Sequence, residues 1–446
     1  MWEILAVVLL GGAALGGLLK RGRHTHEWET AARMYGLQAV DTPNLWHLPL
    51  KTGAGQAVVR IDTFGDEGRF ARIVVMVPGP PDFKTVRISR EAILHWGREI
   101  EMGDVSFDSA FFIEGPTGLV FAVLDEETRR LLFRAGTESQ VEISNGELRA
   151  EMSYEKVPST LPLLLDISQR LARPLDIPRR LAENAQQDPA PGVRLQNLRV
   201  LIRELPEDPR TAEAVRVACS DPSPAVRLRA AQELGAEGRD ILLELAESLA
   251  DDTVSAEAVS ILDQTLSFER TRAILDRARG VRHIQTARVC LEALGRSGAA
   301  AAVDALAKVM EEEEGGLAAA AAQALGATGS SAAEPSLILA LQRELADLRV
   351  AAANALGRVG SAAAVLPLKE AAERSWLDFE IRRATQQAIA EIHSRLSGAS
   401  PGQLSLAGAE MGQLSLAQDG AGQLSLATDP AGQLSLGNAE DPPEEA

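Results

Sequence analysis

Side chains able to do chemistry are few and scattered in this sequence. The six histidines are His24, His26, His47, His95, His283 and His393. Only His24 and His26 lie close together, in KRGRHTHE, and no third ligand stands beside them. Two solvated flank residues account for them better than a metal site. Asp104 and Asp108, in GDVSFD, are the nearest thing to a catalytic carboxylate pair. Carboxylates just before a strand more often cap a turn. The two cysteines, Cys219 and Cys290, sit in apolar helical stretches and read as small buried hydrophobes, with a disulfide or thiol chemistry as the lesser alternative. HExxH, GxSxG, Walker A and GxGxxG signatures are absent from the sequence. No catalytic, cofactor-binding or metal residue is therefore assigned, no small-molecule substrate is evident, and no enzyme is expected.

Residues suited to binding are easier to find. Trp376 and Phe379, in ERSWLDFEIRR, stand out in a chain with 4 % aromatics. They either seal the end of a helical stack or anchor a partner. Arg227, Arg229, Arg288, Arg349, Arg382 and Arg383 fall near one repeat phase. Pairing with inter-repeat loops and carboxylates such as Asp221 is favoured over a basic stripe. The acidic run Glu311 to Glu314 reads as a solvated loop, with docking of a basic partner as the alternative. Towards the C-terminus, GQLSLA begins at Gly402, Gly412 and Gly422, and GQLSLG at Gly432, a spacing of 10 each time. Each copy holds two leucines, Leu404 and Leu406, Leu414 and Leu416, Leu424 and Leu426, Leu434 and Leu436. Two leucines cannot build a core, so 398–446 is expected to be disordered when free. In an extended strand both leucines of a copy share a side, which suits strand addition to a partner sheet. A slippage-expanded linker is the competing reading.

The elements that carry these residues change in kind along the chain. Trp2 to Leu19 reads WEILAVVLLGGAALGGLL, close to a bilayer span, with Lys20, Arg21 and Arg23 directly after it. The order is the reverse of a cleaved signal peptide. Residues 1–20 are read as an N-terminal transmembrane anchor in the inner, cytoplasmic membrane, single-pass, with the body in the cytoplasm. Export of the body is the rival. His26 to Gly36 can form a helix. From there to 157 the period shortens: Gln56–Phe64 and Phe70–Val77 flank a Gly-rich turn, Lys84–Ser89, Phe107–Glu114 and Leu119–Leu124 read as strands, and Val141–Ser144 with Glu147–Tyr154 flank Asn145-Gly146. Between them Asp125 can cap a helix that stops at Gly136. Residues 26–157 are thus an α+β domain with a largely antiparallel sheet. A helical connector, 158–190, follows, broken at Pro162, Pro174 and Pro178.

Self-similarity begins near residue 191 and runs to 397. Asp221-Pro-Ser-Pro leads into VRLRAAQELG, closing at Gly235. TARVCLEALG, LAAAAAQALG and LRVAAANALG close at Gly295, Gly326 and Gly357, spaced 31 and 31. The 60 residues from Gly235 to Gly295 leave room for a degenerate unit around Ser255 to Thr265. Val193 onwards and Ile381 onwards match in outline, giving about seven units with atypical ends. Alanines let helices approach closely, and Leu-Gly is expected to supply a helix stop with positive φ. The pattern of Asp-Pro entry, Val-Arg, Ala-Ala and Leu-Gly resembles HEAT repeats, in particular the short variety of phycobilisome-lyase-type HEAT-like proteins. The units at Leu317 and Leu348 lack the Asp-Pro entry.

A formal net charge of -18 argues against nucleic acid as a partner, because phosphate gains nothing from so acidic a chain. The expected function is a membrane-anchored scaffold or adaptor, binding other proteins through the solenoid and the tail motif. The resemblance also implies an alternative, bilin-lyase-like or chaperone-like activity on a protein substrate. A third reading is an envelope-exposed structural protein.

Overall fold

The computed structural model describes residues 34–40, 44–51, 56–65, 69–78, 81–90, 99–374, 378–395, 404–407 and 413–416. The chain divides into two compact units, one up to Gly238 and one from Arg239.

The first unit is built on an eight-stranded sheet, β1 (Gln38–Ala39), β2 (Leu45–Pro49), β3 (Gln56–Phe64), β4 (Phe70–Met76), β5 (Arg87–Arg90), β6 (Phe111–Glu114), β7 (Gln140–Ser144) and β8 (Glu147–Ser153), in the order β1-β2-β3-β4-β8-β7-β5-β6. Every pairing is antiparallel. Alternation sets the register: Ala57, Val59 and Ile61 of β3 point into the core with Ala71, Ile73 and Val75 of β4. Asn145 and Gly146 both have positive φ, 55° and 79°, as a two-residue hairpin turn of this kind requires.

The next helices are α1 (Val105–Asp108), α2 (Thr117–Val123), α3 (Glu126–Glu138) and α4 (Val157–Leu171); α1, α3 and α4 pack with the sheet, and α2 packs on the helices over 177–204. Two segments expected as strands differ in the structure. The strand expected over Phe107–Glu114 is shortened to β6, because Asp104 caps α1 by accepting from the Phe107 N–H. Leu119–Leu124 is helix α2, in which Gly118 to Ala122 are all buried. An apolar run buried on all sides carries no period to tell helix from strand. Pro162 does not break α4, whose Leu161, Leu164 and Leu165 are buried in the core. The α3 helix runs two residues past Gly136. Helices α5 (Ile177–Gln187), α6 (Pro191–Glu204), α7 (Pro209–Ala218) and α8 (Pro224–Leu234) form two hairpins that join the same hydrophobic cluster, which extends from Leu37 to Ala230.

From Arg239 to Arg395 the described residues of the second unit are helical: α9 (Arg239–Ser248), α10 (Asp252–Leu262), α11 (Phe268–Gly280), α12 (Ile284–Arg296), α13 (Ala300–Glu312), α14 (Gly316–Ala327), α15 (Glu334–Ala340), α16 (Ala346–Val359), α17 (Val365–Arg374) and α18 (Phe379–Arg395). They pair as α9/α10, α11/α12, α13/α14, α15/α16 and α17/α18, and the second helices, α10, α12, α14, α16 and α18, stack on one another as a layer. With the two hairpins of the first unit this makes the seven that the spacing suggests.

The closing glycines have a different role from the one expected. Only Gly235 has positive φ, 57°, and ends its helix. Gly295, Gly326 and Gly357 lie inside α12, α14 and α16, without positive φ. A Cβ at Gly295 would stand 2.7 Å from the Ala324 carbonyl oxygen, and one at Gly326 would stand 2.7 Å from the Cα and Cβ of Ala355. At Gly357 it would meet the Cα of Ala388 at 3.1 Å. Each glycine is the place where the next helix of the layer touches backbone. In α18 the corresponding position is Ala390, exposed, and among the described residues no further helix follows.

Charged ties join successive hairpins. Buried Arg194 donates through Nε and Nη2 to both oxygens of Asp221, at 2.7 and 2.8 Å. Asp252 accepts from the Gln285 and Thr286 N–H groups and from the Thr286 hydroxyl. Arg343 donates to the carbonyl of Met310, and Arg395 to those of Gly357 and Gly360.

Among the described residues no helix is long and apolar enough to cross a membrane. The apolar segment 1–20 and most of 26–36 lie outside the described residues. In the tail, Leu404–Ala407 and Gln413–Leu416 are two short strands, β9 and β10, paired antiparallel with each other. A lone two-stranded pair is marginal in water.

Candidate functional site

The stacked layer in the second unit has an open side, and a groove of about 420 Å³ runs across it over four successive helices. Arg288 and Glu292 come from α12, Gly316, Ala319, Ala320 and Gln323 from α14, Asp347, Val350, Ala351 and Asn354 from α16, and Glu380 from α18. The sequence period generates it. Glu292, Gln323 and Asn354 stand 31 residues apart, so each helix presents its polar residue at the same place. One turn before each, at the i−4 position, are Arg288, Ala319 and Val350. Small residues form the floor: Ala319, Ala320 and Ala351 are buried by close helix packing. The polar residues form the rim.

Those rim groups are uncommitted. Arg288, Gln323, Asp347, Asn354 and Glu380 make no side-chain hydrogen bond or ion pair among the described residues. Several other charged side chains in this unit are tied in place. Arg279, for example, holds Glu312 and Glu313 at 3.2 and 2.6 Å, while Arg343 donates to the Glu311 and Glu313 carbonyls. The acidic run 311–314 is thereby part of the tie between hairpins. The groove lining carries one arginine against three carboxylates, with Asp347 and Glu380 in the first turns of their helices, where the helix dipole favours negative charge.

A second pocket, of about 220 Å³, lies in the first unit beside Asp125, Arg170 and Arg180. Its charges are already matched. Asp125 caps α3 through the Thr128 N–H and receives Arg170 at 2.6 Å and Arg180 at 3.0 Å. Burial pushes the Asp125 carboxyl up, but the hydrogen bonds from Arg170 and Thr128 outweigh it and hold the carboxyl below its ordinary range.

The residues singled out in sequence are placed as follows. Asp104 and Asp108 are structural: Asp108 accepts from the Met102 and Gly103 N–H groups, and Asp104 caps α1 and receives Arg129 at 3.2 Å. Burial raises the Asp108 carboxyl, partly offset by those two N–H groups. Arg129 itself is buried and grips both oxygens of Asp188 at 3.0 Å. Cys219 donates to the Val215 carbonyl, and Cys290 is buried, its thiol pushed up to about 12 by burial. Phe379 opens α18 and is 72 % exposed, so it seals nothing. Trp376, His24, His26, Leu424, Leu426, Leu434 and Leu436 lie outside the described residues, whereas Leu404, Leu406, Leu414 and Leu416 lie in β9 and β10. Of the arginines, Arg227 donates to the Asp221 carbonyl and Arg229 meets Glu233, while Arg288 points to the groove. Among the described residues no cluster of His, Cys, Asp and Glu is placed to hold a metal ion. Sequence reasoning missed Gln323, Asn354, Asp347 and Glu380. The equal spacing of Glu292, Gln323 and Asn354 was the available signal.

A family profile described as HEAT repeats matches residues 311–390, which span the last part of α13 to most of α18. These are HEAT-like repeats. The matched stretch contains the α14, α16 and α18 walls of the groove. The chain is also similar to two solved structures. One is human deoxyhypusine hydroxylase in complex with glycerol, 18 % identical over 49 % of this chain and 96 % of that one, with a TM-score of 0.23. The other is an engineered protein, 20 % identical over 44 % of this chain and 95 % of that one, with a TM-score of 0.25. Scores this low carry no functional argument. No curated protein matches the chain.

Proposed function

We propose that this protein is a scaffold that binds an extended segment of a partner protein in the groove of its HEAT-like repeats. The observation that carries the reading is the row of uncommitted polar side chains, Arg288, Gln323, Asp347, Asn354 and Glu380, over a floor of alanines. Carboxamides both donate and accept, so Gln323 and Asn354 suit a peptide main chain, whose N–H and C=O groups need both partners. Stacked helices stand about 8–10 Å apart, about the reach of three extended residues. One carboxamide per helix can thus meet the main chain at regular intervals. Three carboxylates against one arginine select a segment carrying Lys or Arg.

The remaining parts give this scaffold a location. Residues 1–20 would anchor it in the inner membrane as a single pass, and Lys20, Arg21 and Arg23 would hold the body in the cytoplasm. Reporter fusions at the C-terminus test the topology: an active cytoplasmic reporter supports it, and an active exported reporter reverses it. The groove is tested with fluorescent Lys- and Arg-containing peptides titrated against the full chain. Asp347→Lys with Glu380→Lys is expected to weaken binding at least tenfold while lowering thermal stability only modestly, through lost negative charge in the first turns of two helices. Equal affinity for both proteins rules the groove out.

A further inference from the structure

The two described tail strands carry an observation independent of the groove. In β9 and β10, Leu404 pairs with Leu416, Ser405 with Ser415, and Leu406 with Leu414. Both strands come from copies of GQLSL, and the serine of one copy stands opposite the serine of the other. The third-position leucine faces the fifth-position leucine, and the reverse. Exchanging the strands leaves these three pairs unchanged, so the register is its own two-fold mate.

We propose that GQLSL is a self-complementary strand and that its partner is the same segment in a second copy of this chain. A two-fold register does not distinguish a strand of the same chain from one of another chain, and between chains it is an isologous contact. The sequence around it fits. One pair of four-residue strands is marginal, and each keeps an unpaired edge. The chain supplies four copies at a spacing of 10, which allows a wider sheet only if copies keep adding to one another. Nothing inside GQLSL, neither Pro, Lys, Arg, Asp nor Glu, blocks an edge. Charges that do so, Glu410, Asp419 and Asp429, fall in the spacers between copies in the sequence. By the two-residue alternation of a strand the leucine positions share one face, which a second sheet of the same kind would cover. A strand made for an unrelated partner has no need of pairing with itself about its central serine. Four copies also multiply the effective concentration once one pair has formed.

The test uses the full chain in detergent, in two pools carrying a donor or an acceptor dye at the C-terminus. Mixed pools should show energy transfer that rises with protein concentration and falls when an unlabelled peptide spanning 401–446 is added. In a variant with Leu404→Pro and Ser405→Pro, and the equivalent pair in the other three copies, transfer should drop to the level of free dyes. The double proline removes a ladder donor whichever parity the pairing has, and unchanged circular dichroism shows that the body stays folded. Transfer that is absent in the parent chain, or that persists in the proline variant, overturns the proposal. Binding of peptides in the groove is unaffected by these substitutions, so its success or failure is read separately.

Discussion

Replacing Gly326 by alanine sets two effects of known sign against each other. In an ordinary helix interior the change stabilises by about 1 kcal/mol, because alanine loses less backbone freedom than glycine. Here the new methyl group would stand 2.7 Å from both the Cα and the Cβ of Ala355 on the next helix of the layer. Carbon atoms rest at about 3.5–4.0 Å, so α14 and α16 must part by roughly 1 Å. Overpacking of this kind costs about 1–3 kcal/mol. The expected net effect is a loss of about 1 kcal/mol. Gly280 is the internal comparison: it lies at the end of α11, has no positive φ, and a Cβ there would meet nothing within 4 Å. Gly280→Ala is expected to gain up to about 1 kcal/mol. Urea unfolding of the full chain, followed by circular dichroism, measures both. A Gly326→Ala protein as stable as Gly280→Ala, or more stable than the parent, would refute the close-approach reasoning.

Arg194→Ala leaves the Asp221 carboxylate buried without its bidentate partner, with side chains only 9 % and 7 % exposed. A loss of about 3–5 kcal/mol is expected in the same urea assay. Asp125 and Asp252 both titrate below the ordinary range. In each, burial pushes the carboxyl up and hydrogen bonds, from Arg170 and Thr128 to the first and from Thr286 and Gln285 to the second, pull it further down. A depressed folded value means that their stabilisation is present above the unfolded value of about 3.9 and is lost as pH falls through the folded one. Stability measured down an acid series should fall below about pH 4, and Asp125→Asn should flatten that fall. An unaltered slope would separate the carboxylate from acid unfolding. Cys290, with its thiol pushed up to about 12, should resist alkylation in the folded protein and react once urea exposes it. Rapid native labelling at Cys290 would contradict its burial.

Much of the fold was legible because period carries it. The hairpins β3–β4 and β7–β8 show a two-residue alternation with Gly-rich or Asn-Gly turns, and their registers follow from the faces those residues must bury. The repeats announced themselves through the spacing of Gly295, Gly326 and Gly357. Their physical role was hidden, since a glycine closing a helix and one touching a neighbouring backbone look alike in one sequence. Leu119–Leu124 was misread because a segment buried on every side has no polar residue to mark its period. Much of the groove escaped notice for a related reason. Gln323 and Asn354 are single polar residues in alanine-rich helices, and only the stacking of α14 on α16 turns them into a row. Asp104 and Asp108 behaved as backbone caps, the bland role that their place before a strand suggested.

Binding of an extended Lys- or Arg-bearing segment in the groove of the HEAT-like repeats can be tested without a known partner. The most direct measurement selects a displayed library of random peptides on the full chain and then measures each enriched peptide against Asn354→Trp, which fills the groove at an exposed position. Sequences enriched in Lys or Arg are expected, with binding lost in Asn354→Trp and weakened by Asp347→Lys with Glu380→Lys. Enriched peptides without basic residues, or peptides that bind the Asn354→Trp protein as well as the parent, would contradict it.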